Sequence, residues 1–191
     1  MKSLLSALLL SLITSAYSQN MQDVYRKGFV FGTAIGVSHS IQPFPNNKQN
    51  NLGLGLDFKV GYMLQPNLAL LLSTNISSYN YSGVGRDRTR DFGIVAPTIQ
   101  YWLNDKLWVL GGVGLGVDAP ISWDIKNPDV NKKETQYYTG LGVVMALGFD
   151  IFRKKNFTVD IKTRLSYRNV QLQEGRASGF SPAVLIGINF Y

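Results

Sequence analysis

The sequence predicts an all-β chain: an eight-stranded antiparallel up-and-down transmembrane β-barrel. Three observations predict it. Between Phe157 and Arg168 two phases alternate without a miss. Phe157, Val159, Ile161, Thr163, Leu165 and Tyr167 form one; Thr158, Asp160, Lys162, Arg164, Ser166 and Arg168 form the other. A period of two is a strand with one apolar and one charged face. Seven further stretches alternate in the same way, joined by connections that are in turn long and short. Finally, no segment beyond the N-terminal leader offers the ~20 continuous apolar residues of a membrane helix. The nearest, Leu107 to Val117, is interrupted by four glycines.

The strands follow in order. The first, about Gly28 to Ser38, sets Phe29, Phe31, Thr33, Ile35 and Val37 against Gly32, Ala34 and Gly36. The second, Leu52 to Leu64, uses Gly, Asp and Lys as its polar phase. The third, Leu68 to Tyr79, sets Leu68, Leu70, Leu72, Thr74 and Ile76 against Ala69, Ser73, Asn75 and Ser77, and Leu71 breaks its pattern. The fourth, about Gly93 to Leu103, opposes Val95, Pro97, Ile99, Tyr101 and Leu103 to Ala96, Thr98, Gln100 and Trp102. The fifth, Leu107 to Asp118, opposes Val109, Val113, Leu115 and Val117 to Gly112, Gly114, Gly116 and Asp118. The sixth, Tyr137 to Ile151, alternates Leu141, Val143, Met145, Leu147 and Phe149 with Gly140, Gly142, Ala146, Gly148 and Asp150. The seventh is Phe157 to Arg168. The eighth, Phe180 to Tyr191, alternates Val184, Ile186, Ile188 and Phe190 with Ala183, Gly187 and Asn189.

Short turns fall at Gln65-Pro66-Asn67, Asn104-Asp105-Lys106 and Arg153 to Asn156. Longer polar loops fall at Ile41 to Asn51, Ser82 to Asp91, Pro120 to Gln136 and Gln171 to Gly179. Short turns at one end and long loops at the other is the plan of a transmembrane barrel, with the long loops external.

The ends and the composition agree with export. Lys2, the apolar run Leu4 to Ile13 and the small residues Ala16 and Ser18 read as a signal peptide,. Residues 1–18 are expected to be removed after Ser18, leaving residues 19–191 as one barrel domain. The chain has no cysteine, which excludes a lipoprotein anchor, disulfides and thiolate metal sites,. A single histidine excludes a multi-histidine metal site,, so no cofactor or metal is expected. The net charge is +7. With an export signal this favours lipid headgroups and lipopolysaccharide over nucleic acid as partners.

The polar phase decides which face meets lipid. A soluble barrel would show Thr, Lys, Glu and Gln to water. This phase is instead dominated by Gly, Ala and Ser. The interior of an eight-stranded barrel is just wide enough for side chains to fill, so the small residues are assigned to the lumen and the Leu/Val/Phe phase to lipid. The same assignment puts Asp57, Asp118, Asp150 and Asp160 inside with Lys59, Lys162, Arg164 and Arg168, four acids against four bases. Facing lipid, each Lys or Arg would cost roughly 2–4 kcal/mol near the midplane. Paired inside, they form a structural charge network that fills the lumen.

In these features the chain resembles the small eight-stranded bacterial outer-membrane β-barrels of the OmpA/OmpX/OmpW-like group. Its Gly-rich strands and Gln19 look like the Bacteroidota members. The resemblance is architectural and covers nearly all of residues 19–191. It implies an outer-membrane location. It also implies an outward aromatic at the end of the last strand that the barrel assembly machinery reads. Phe190 ends the outward phase and Tyr191 lies one step beyond, so either residue could serve.

Candidate sites outside the lumen are few. Arg86, Arg88 and Arg90 lie in one expected external loop, and Lys132 and Lys133 in another. Arginine binds phosphate bidentately, which suits lipopolysaccharide; a solvated loop would look the same. Trp123 in the longest loop would anchor a surface or envelope protein partner or pack over the barrel mouth. His39, between Ser38 and Ser40, is the one residue that suggests a lipid-modifying enzyme. Its phase is outward and no acid lies nearby in sequence. The sequence therefore favours a non-enzymatic barrel with a structural or surface-interaction role. A narrow channel is the first alternative and a lipid-modifying enzyme the second.

Overall fold

The computed structural model describes residues 26–43, 48–81, 88–120, 137–172 and 175–191. The expected signal peptide lies outside them. Eight strands follow in chain order: β1 Gly28–Pro43, β2 Lys48–Gln65, β3 Leu68–Tyr81, β4 Arg88–Trp102, β5 Leu107–Pro120, β6 Tyr138–Lys154, β7 Phe157–Leu172 and β8 Gly175–Phe190. Each pairs antiparallel with its neighbours, and β1 pairs with β8 to close the barrel.

The turns at the short end are set by local chemistry. Two-residue turns join β2 to β3 and β6 to β7. Between β4 and β5 the side-chain oxygen of Asn104 accepts from the backbone N–H groups of Lys106 (2.9 Å) and Leu107 (2.8 Å), an Asx turn.

At the other end the strands run further than the alternation indicates. In the stretch Gln171 to Gly179, expected as a long loop, β7 and β8 stay paired up to Leu172 and Gly175. Gly175 takes φ +124°, a backbone conformation open to glycine at this turn,. Val170, Leu172 and Ala177 are buried together above the lumen with Tyr138 against them, which rewards the longer pairing. Arg90 and Asp91, expected in a loop, lie inside β4. Leu71 does not break the alternation. It is buried on the lumen side beside Val30, Met63 and Ala69, while Leu70 and Leu72 face outward. An apolar residue on the polar phase reads as a miss, yet a lumen that must be filled accepts it.

The outward phase is apolar and exposed. Leu115 and Ile186 are more than half exposed, and no Asp, Glu, Lys or Arg stands on this phase between Phe29 and Val37, Leu52 and Leu64, Val109 and Val117 or Val159 and Leu165. In water it would be an apolar patch far beyond what soluble monomers carry; in a bilayer it is the contact surface. Aromatic rings mark the short-turn end. Phe152, Phe157, Phe190 and Phe31 form a continuous row across β6, β7, β8 and β1, with centroids 5.7, 6.0 and 6.5 Å apart in turn.

The inward phase is packed. Trp108 is fully buried, and a Cβ on Gly148 would lie 2.1 Å from its ring. Gly148 therefore makes the space that Trp108 fills. Replacing Gly148 with Val should displace the indole and cost about 1–3 kcal/mol, the usual range for overpacking. The measurement is the unfolding midpoint followed by heat-modifiable migration on gels. An unchanged midpoint would contradict the packed lumen.

Candidate functional site

The charged side chains meet in three groups inside the barrel. Near the end opposite the short turns, Asp118 of β5 is surrounded. Arg168 of β7 donates Nη2 to its Oδ2 (2.6 Å), the Tyr79 hydroxyl donates to the same oxygen (2.5 Å), and Arg90 of β4 donates Nε to Oδ1. Arg168 further donates to the Val117 carbonyl (2.7 Å) and to Gln42 Oε1 (2.8 Å), and its guanidinium lies 4.2 Å from the Phe92 ring centre. A Cβ on Gly116 would stand 2.6 Å from Arg168 Cγ, so glycine admits the arginine stem.

In the middle, Asp57 of β2 binds two cations of β7. Lys162 Nζ reaches Oδ2 at 2.7 Å and Arg164 Nη1 donates to Oδ1. Arg164 also donates Nη2 to Ser77 Oγ (2.6 Å). Lys59 is held differently: its Nζ donates to Gln100 Oε1 (2.8 Å) and lies 4.8 Å from the Trp108 ring centre. At the short-turn end, Arg26 donates Nη2 to Asp150 Oδ2 (3.0 Å) and Trp108 Nε1 donates to Oδ1 (3.2 Å). Arg26 lies 4.7 Å from the Trp102 ring centre. Asp160 accepts from the Asn189 amide (2.7 Å).

Asp57, Lys59, Asp118, Asp150, Asp160, Lys162, Arg164 and Arg168 are thus all buried, but not as the balanced set of pairs the sequence suggests. Lys59 and Asp160 are held by amides, and two further arginines join. Arg90, expected to reach lipopolysaccharide from a loop, is buried on Asp118. Its phase is continuous with Phe92, Ile94 and Ala96, so carrying the alternation upstream of Gly93 would have placed it. Arg26 precedes β1 and belongs to no periodic stretch; the chain turns at Gly28 (φ +84°) and Arg26 lies across the barrel end. Tyr79 reads in the sequence only as the end of a strand.

In the middle of the lumen a small cavity of about 10 Å³ lies between Asp57, Lys59, Asn75, Trp108, Lys162 and Arg164. That is room for about one water.

The remaining candidates lie elsewhere. His39 faces outward and its Nε2 meets the side-chain oxygen of Asn50. Ser38 and Ser40 point to the opposite face and are buried, out of the mutual reach that a nucleophile and base need. Phe190 is the outward aromatic of β8, whereas Tyr191 turns inward against Trp102, ring centroids 5.9 Å apart. The side chains of Arg86, Arg88, Lys132, Lys133 and Trp123 lie outside the described residues.

Solved structures share this fold. Neisserial surface protein A matches with a TM-score of 0.58 at 12% identity, over 86% of this chain and 99% of that one. The attachment invasion locus protein Ail of Yersinia pestis matches at 0.57 and 16% identity, over 86% and 99%. Ail in complex with the heparin analogue sucrose octasulfate matches at 0.53 and 18% identity, over 85% and 99%. At these identities the likeness is one of fold. No protein-family profile matches the chain, and no curated protein matches it in sequence. The closed barrel with its apolar exterior has the fold of these small eight-stranded outer-membrane β-barrels.

Asp57 supplies the test of the lumen network. Asp57→Asn leaves Lys162 and Arg164 buried without their carboxylate and should cost about 3–5 kcal/mol. The triple variant D57L/K162M/R164M should cost much less, since a packed apolar set can match a buried ion group. Urea unfolding in lipid vesicles compares the two. Equal losses would mean that the pairing itself holds the barrel together.

Proposed function

We propose that the protein is a non-enzymatic outer-membrane barrel whose lumen is a structural plug and whose external loops carry its interactions, with lipopolysaccharide or with a surface partner. The filled lumen carries this reading. The mid-lumen cavity of about 10 Å³ and the fully buried Trp108, Arg168, Tyr79 and Phe92 support a plug, which leaves the ends of the barrel to carry the interactions. An eight-stranded barrel of the same fold forms a complex with a sulfated heparin analogue. Arg86, Arg88, Lys132 and Lys133 would suit sulfated or phosphorylated sugars through charge-assisted hydrogen bonds.

Two measurements test the proposal. In planar bilayers the purified protein should show no discrete openings. Openings that vanish on changing Asp57 or Arg164 would overturn the plug. Changing Arg86, Arg88, Lys132 and Lys133 together to Gln should weaken binding of lipopolysaccharide by at least about tenfold, at roughly 1 kcal/mol per surface cation. Heat-modifiable migration should stay as in the unchanged protein. Unaltered binding would remove these loops from the interaction.

A further inference from the structure

At the short-turn end, lysines stand just beyond the aromatic row, and we propose that they form a binding site for the phosphate of anionic phospholipids in the inner leaflet. The arrangement begins with a β-bulge. The β6–β7 register shifts between Asp150 and Phe152, so Ile151 and Phe152 both face outward and the phase inverts beyond them. Arg153 then turns toward the barrel end and donates Nη1 to the Asp105 carbonyl (3.0 Å). Lys154 stands opposite Phe157 and shares its lipid-facing side. Without the bulge these two would exchange places.

The aromatic row gives the depth. With the outward Tyr62 and Tyr101 of the same end, the row Phe152, Phe157, Phe190 and Phe31 makes an aromatic girdle of the kind that marks the boundary between acyl chains and headgroups. Residues one step beyond lie at the level of the phosphates. At that level Lys27, Lys154 and Lys155 are exposed, and Lys106 Nζ lies 5.8 Å from the ring centre of outward-facing Phe149. Lysine stems lie along apolar surface while the ammonium stays with water and headgroups. Among the described residues the acids of this end are Asp105, exposed, and the buried Asp150 and Asp160, held by Arg26 and by the Asn189 amide. The rim is therefore a local cation excess. A diacyl lipid fits it, with acyl chains against Phe152 and Phe157 and its phosphate between Lys154 and Lys155.

The test uses the full chain folded in nanodiscs of phosphatidylcholine with a minor share of phosphatidylglycerol. Native mass spectrometry counts the lipids retained. The unchanged protein should retain phosphatidylglycerol in preference, and K27Q/K154Q/K155Q should lower that preference by about fivefold per lysine. K154R/K155R should keep it. Equal retention of the two lipids, or an unchanged preference in the glutamine variant, would overturn the site. So would displacement of the lipid by millimolar inorganic phosphate, which would make it a site for free anions. If the glutamine variant fails to fold, the unchanged protein still decides: the preference should fall as salt rises, and a salt-independent preference would refute the proposal.

Discussion

Closure of the sheet is the constraint on which the rest of the molecule depends. Within lipid every backbone N–H and C=O must find its partner in the chain, so β1 must meet β8. The two prolines that lie away from the strand ends, Pro97 and Pro182, show how tightly this is held. Pro182 lacks an N–H, and β1–β8 pairing lapses between Ser38/Ala183 and Ile41/Phe180 before resuming in the same register. On its other side Pro182 still stands opposite Leu165 of β7. Pro97 behaves alike, interrupting β4–β5 between Val95/Leu115 and Thr98/Gly112 while facing Leu72 of β3. Each proline disturbs one ladder and leaves the other intact. At the first lapse the Ser40 and Ser181 hydroxyls, 3.3 Å apart inside the barrel, give the wall a side-chain bond in place of a backbone one.

Closure with eight strands leaves an interior just wide enough for side chains to fill. Glycines make room for two of the largest side chains, Gly148 beneath Trp108 and Gly116 beside Arg168. A wholly apolar filling would be as stable as a charged one. The charges contribute something different. Asp57 ties β2 to β7, Arg168 ties β7 to β1, β4 and β5, and Arg26 ties the segment before β1 to β6. A strand that slipped by one residue would turn its charged phase into lipid, at roughly 2–4 kcal/mol for each Lys or Arg near the midplane. An apolar lumen imposes no such penalty, because both faces would then be at home in lipid. The buried charges thus make the register unique.

That physics explains which parts are legible in the sequence. A strand between lipid and a mixed lumen must alternate, so β5 to β7 can be read residue by residue, as can the lipid-facing side. Alternation weakens where the constraint does. Above the bilayer the outward face no longer has to be apolar, so the upper parts of β1, β2, β4, β7 and β8 look like loops, and Arg90 with them. Leu71 looks like an error because the lumen tolerates Leu as well as Ser. Arg26 leaves no trace, since a residue before the first strand has no phase. Its role rests on Asp150, Trp102 and Tyr191, which come from β6, from β4 and from the residue after β8, a meeting that only the closed barrel creates.

The filled middle also separates the two ends chemically. At the end opposite the short turns the buried arginines Arg90 and Arg168 converge on Asp118. At the short-turn end the Arg26–Asp150 pair closes the lumen, and the remaining lysines point outward past the aromatic row. An arginine's planar fork suits a fixed interior carboxylate, while a lysine's compact charge on a flexible stem suits a fluid layer of headgroups. The distribution follows that division: the side chains that bind carboxylates at the two mouths are arginines, and those exposed beyond the belt are lysines. Inside the lumen two lysines depart from this division: Lys59 lies beside an indole ring and Lys162 reaches, as a point charge, a carboxylate shared with Arg164.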